Sequence, residues 1–125
     1  MENVTCTVIK DGKTYQSDLG GLRPLMKWLN EEPELLEGSE VIDKVVGKAS
    51  AMLLTYGKVR KIHGKLMSKT ADNFLNAHGI EHSWDVMTDY ILNQDKTDMC
   101  PMEKKVKDLN EPEEAFQTLK PIFIK

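Results

Sequence analysis

Val41-Ile42-Asp43-Lys44-Val45-Val46-Gly47-Lys48-Ala49-Ser50-Ala51-Met52-Leu53-Leu54-Thr55-Tyr56-Gly57 changes its periodicity midway. As far as Val46 it is short and β-branched, which predicts a strand. From Ala49 the apolar residues recur at Ala49, Met52, Leu53 and Tyr56, the spacing of one helix face, and Gly57 closes the helix. The same order repeats at once. Val59 to Leu66 is strand-like, Ser68 or Thr70 can cap a helix, Phe74 and Leu75 face inward, and Gly79 stops the last helical turn. Two consecutive strand-to-helix units predict parallel strands joined by right-handed crossovers.

Upstream, residues 4 to 9 are β-branched apart from Cys6, and Asp11-Gly12 followed by Lys13 to Gln16 supplies a turn and a second strand, so a hairpin is expected. Leu22, Leu25, Met26 and Leu29 then predict a helix running to about Asn30, ended by Pro33. Downstream, Ile80 to Trp84 begins another strand. Asp85 then caps a short helix carrying Val86, Met87, Tyr90 and Ile91, and a polar loop runs from Asn93 to Asp98. Pro101 and Pro112 open two short C-terminal helices, the second interrupted by Pro121. The fold class is therefore α/β: a three-layer arrangement in which a mixed β-sheet is sandwiched by helices, in one domain of 125 residues.

Composition narrows the function classes. Seventeen Lys and Arg against 20 Asp and Glu give a net charge of −3, which argues against generic nucleic-acid or membrane binding. No apolar run approaches the roughly 18 residues of a membrane span, and the N-terminus has neither the basic nor the apolar region of a secretory signal. A soluble, cytoplasmic protein is expected, with Cys6 and Cys100 as reduced thiols.

Charge is unevenly distributed: residues 41 to 75 carry seven basic and two acidic side chains. That excess falls on the two strand-to-helix turns, where free helix N–H groups favour an anion. Gly47, Lys48 and Ser50 at the first turn and Ser68, Lys69 and Thr70 at the second are the candidate ligand-binding residues, with Asp43 and Lys44 just ahead of the first. Neither turn is a phosphate loop, since Ile42 stands where a glycine is needed and Ala49 where a hydroxyl is needed. The plainer reading is that the lysines are surface residues and the hydroxyls caps. Cys100, with Glu103, Lys104 and Lys105 behind it, stands at a predicted helix start, where the dipole favours a thiolate; Cys6 reads as core. His78 and His82 are four apart, but Gly79 breaks the helix between them, so no metal site is expected and no cofactor is implied.

Gly21-Leu22-Arg23-Pro24-Leu25, Asp43-Lys44-Val45-Val46-Gly47-Lys48-Ala49, His78-Gly79-Ile80 and Cys100-Pro101-Met102-Glu103 together resemble a small prokaryotic family of domains of unknown function. That resemblance implies a cytidine-deaminase-like fold over nearly the whole chain. The zinc motifs of such deaminases are missing. At the first turn, where H-x-E or C-x-E belongs, stands Gly47-Lys48-Ala49; at the second, in place of P-C-x-x-C, stands Ser68-Lys69-Thr70. The leading reading is a metal-free deaminase-like domain that binds a small anionic or nucleotide-like ligand at the two turns. One rival makes Cys100 a catalytic nucleophile or redox thiol, with Glu103 or Asp43 handling protons and a lysine favouring the thiolate. Another makes the domain an interaction or homo-oligomerisation module that pairs a sheet edge or an apolar helix face with a second chain.

Overall fold

A computed structural model describes residues 4–93 and 95–124. The hairpin forms from β1 (Cys6–Lys10) and β2 (Lys13–Ser17), turning through Asp11 and Gly12, both at positive φ. Next come α1 (Arg23–Glu31), α2 (Pro33–Leu36), β3 (Glu40–Val46), α3 (Lys48–Tyr56), β4 (Lys61–Ser68), α4 (Lys69–Ala77) and β5 (Glu81–Thr88). The chain ends in α5 (Pro101–Val106) and α6 (Pro112–Phe123). The strands form one mixed sheet in the order β2-β1-β3-β4-β5, with β1 antiparallel to both neighbours and β3, β4 and β5 parallel. No helix among the described residues is long and apolar enough to cross a membrane.

The helices flank the sheet in two tiers on one face, where a layer on each face was expected. Cys6, Val8, Val41 and Ile62 point into the core. Thr7, Ile42, His63 and Ser83 alternate onto the other face, and none of them is buried. The physical reason is that strands laid down in the order β3, β4, β5 by crossovers of one hand put both helices on the same side. α3 is buried on every side from Ala49 to Leu54, because α6 covers the surface that the sheet does not. Tyr56 of α3 stacks on Phe116 of α6, with ring centroids 5.2 Å apart.

Three local expectations change. The short helix expected after Asp85 is strand, since β5 continues to Thr88; pairing of Leu66, Met67 and Ser68 with Val86, Met87 and Thr88 outweighs the helical spacing. Pro33 ends α1 but also opens α2, as a first-turn proline can. Pro121 lies inside α6, which continues to Phe123 rather than breaking.

β3 and β4 also share a change of phase. Their buried positions are Val41, Asp43 and then Val46, and Ile62, Gly64 and then Met67, so a spacing of two becomes three in both while the register between them is kept. Gly64 makes room for it: a Cβ there would lie 2.9 Å from Val46 Cγ2. Asp43 is the last inward residue before the shift.

Candidate functional site

Two adjoining cavities open beyond the carboxyl ends of the parallel strands, and they divide the expected residues between them. The larger, about 790 Å³, is bounded by the end of β3, the start of α3, the Gly20-Gly21 turn, Ile91, Leu92, Asn93 and Asp95, and the start of α5. It collects Asp43, Lys44, Gly47, Ser50, Cys100 and Glu103. The smaller, about 380 Å³, takes Lys48 and Thr70, and has Glu103 and Ile91 in common with the larger. Ser68 and Lys69 line neither cavity.

Glu103 is the wall between them. Its carboxylate reaches back from α5 to the start of α3, where Oε1 accepts the Lys48 N–H at 2.8 Å and Oε2 accepts the Ala49 N–H at 2.9 Å. The amides expected to hold an external anion are thus engaged by a carboxylate of the chain itself, which also complements the helix dipole. Burial pushes the Glu103 carboxyl upward, opposed by those two amides and by Lys48. The Lys48 ammonium donates to the Lys107 carbonyl at 2.8 Å, tying the end of α5 to the same place.

The second turn is likewise satisfied internally. Ser68 Oγ accepts the Ala71 N–H at 3.1 Å as the N-cap of α4, and lies 2.9 Å from Thr70 Oγ1. The Lys69 ammonium pairs with Asp89 at 3.0 Å, with both side chains largely in solvent. These residues act as the cap and surface pair of the plainer reading.

Asp43 is different. It is 5% exposed, opposite Cys6 in the sheet, and opens into the larger cavity. Burial pushes its carboxyl up from 3.8 to about 7; only the Lys44 and Val45 amides favour its charged form. An aliphatic residue is the usual occupant of such a position, because an unpaired buried carboxyl costs on the order of several kcal/mol. The sequence signal was there: Asp43 alternates with Val41 on the inward face. Cys100 is half-buried and lines the same cavity, whereas Cys6 is sealed in the core; both are free.

The histidines are spread apart. His63 bridges Ser83 and Asp85 on the bare face of the sheet, His82 lies 2.6 Å from Asp72, and His78 stacks on Phe74. Among the described residues no group of three His, Cys, Asp or Glu is placed to hold a metal. Asn73, Tyr90, Lys107 and Asn110, which line the smaller cavity, carry no motif by which a sequence reader would select them.

The family described as a domain of unknown function, DUF1893 (TM1506), matches residues 1–123. The crystal structure of a DUF1893 family protein (TM1506) from Thermotoga maritima is similar, with a TM-score of 0.89 and 34% sequence identity over 98% of this chain and 82% of that one. No curated protein matches the chain.

Proposed function

The chain belongs to the DUF1893 family of domains of unknown function, and we propose that it binds a small, uncharged or cationic organic molecule in the cleft over Asp43. The observation that carries this reading is the buried carboxyl of Asp43, facing about 790 Å³ of open volume with only backbone amides to support its charge. With Glu103 held by two helix amides, the cleft keeps Asp43 and Asp95 against one lysine, Lys44, so its field does not favour an anion. An amidine edge presents two N–H groups at the spacing of two carboxylate oxygens, and an amide edge one N–H beside one C=O, which matches a protonated carboxyl. Asp43 can meet such an edge as donor or acceptor.

The strand order β2-β1-β3-β4-β5, with an antiparallel hairpin beside three parallel strands, supports a cytidine-deaminase-like fold. A deaminase zinc centre does not fit these residues. Neither helix start offers His or Cys, and the Glu103 carboxylate fills the space at the start of α3. The two free thiols suit a cytoplasmic location.

Alkylation of Cys100 by iodoacetamide reads occupancy of the cleft. Benzamidine or acetamide should slow it in the wild type and not in Asp43→Asn. Protection by neither compound, or equal protection in the variant, overturns the proposal.

A second reading makes Cys100 a nucleophile, favoured by its place in the same cleft as Asp43. With Glu103 committed to two amides, Asp43 and Asp95 are the cleft carboxyls left to take the thiol proton, and of the two Asp43 is the buried one. In that case Asp43→Asn itself slows alkylation before any ligand is added.

A further inference from the structure

We propose that the smaller cavity, on the other side of Glu103, is a separate site for a small organic anion with a flat apolar body, such as an aromatic carboxylate. Its volume, about 380 Å³, lies within the range of small-molecule sites. Phe74, Ile91 and Met99 give it an apolar lining, and Tyr90 stands beside them 54% exposed. Phe74 and His78 both line it and stack on each other, with ring centroids 4.0 Å apart, so a flat ligand ring meets an aromatic surface.

The charge here is opposite to that of the larger cleft. Lys48 and Lys107 line it, and its one acidic residue among those described is Glu103. Both Glu103 oxygens already accept helix amides, so its charge is met by the start of α3. The Lys48 ammonium uses one of its three N–H donors on the Lys107 carbonyl, which anchors it and leaves two for a ligand. Asn73 and Asn110 add amide donors. An aromatic anion satisfies both halves of this lining, the ring against Phe74 and Tyr90 and the carboxylate toward the lysines. The two cavities have only Ile91 and Glu103 in common, so this site stands independently of the Asp43 cleft.

The experiment is a titration of isotope-labelled protein with benzoate and with its uncharged counterpart benzamide. Benzoate should shift the side-chain amide signals of Asn73 and Asn110, with an affinity that falls as salt is added. Benzamide should bind there about tenfold more weakly, a difference of about 1.4 kcal/mol. Lys107→Met, at an exposed position, should weaken benzoate without moving the melting temperature, and Tyr90→Ala should weaken both compounds. Equal binding of benzoate and benzamide overturns the site, as do unmoved Asn73 and Asn110 signals or an unchanged benzoate affinity in Lys107→Met. Shifts confined to the Lys44 and Val45 amides would place the compounds in the other cleft and overturn it as well.

Discussion

The Glu103 carboxylate lies so close over Gly47 that a Cβ on that glycine would stand 2.6 Å from its Cδ. Gly47 has an ordinary extended backbone at φ −97°, so the glycine is there for space and not for conformational freedom. This contact joins α5 to the start of α3 across 55 residues of chain, and both cavities are built around it.

Gly47→Ala should therefore act through Glu103. The added methyl forces the carboxylate away from the Lys48 and Ala49 amides, with a loss of about 1–2 kcal/mol, the scale of a lost helix cap. Glu103→Gln should cost a similar amount, because one end of the amide would turn an N–H toward an N–H. Urea titration of each variant and of the double variant measures this; in the pair the losses should fall short of additive.

Asp43 makes stability depend on pH. Its folded value, about 7, lies above its ordinary 3.8, so the folded state holds the proton more tightly. The stabilisation is complete below 3.8 and is lost as pH rises through about 7. Wild type should lose stability across that window with a slope of up to about 1.4 kcal/mol per pH unit from this group. The profile of Asp43→Asn should be flatter. Melting curves at a series of pH values decide it, and parallel profiles would count against a buried titrating Asp43.

The two thiols should separate cleanly. Cys6 is 1% exposed, and burial, with Asp43 beside it, pushes its thiol far above the usual range. Cys100 lines the cleft. Native protein exposed to iodoacetamide should gain one adduct by intact-mass analysis, and Cys100→Ser none; adducts at Cys6 would show that the core opens on the timescale of the reaction.

The second turn should behave as local structure. Ser68→Ala removes the α4 cap and should cost about 1 kcal/mol. Lys69→Ala breaks only the exposed pair with Asp89 and should leave both stability and benzoate affinity within error. A change in benzoate affinity in Lys69→Ala would return the anion to the turn, where the lysine pattern first suggested it.

Periodicity along the chain determined the elements. Val41 to Val46 followed by Ala49, Met52, Leu53 and Tyr56 predicts β3 and α3 to within a residue, and of the two cap candidates, Ser68 and Thr70, Ser68 is the N-cap. These are consequences of side-chain spacing and capping, which act over a few residues. The strand through Val86 and Met87 was not legible, because its pairing with Leu66 and Met67 lies some twenty residues away. Tertiary structure alone decided where the charges went. Lysines at two helix starts suggest an anion site, and nothing local shows that Glu103, remote in sequence, already supplies the anion at one of them. Nor does sequence show that Lys48 and Lys107 meet beside Phe74, or that Asp43 faces a cleft instead of a partner. Hydrogen bonds and burial between distant segments fix these relationships, and the sequence carries them only through the fold it makes.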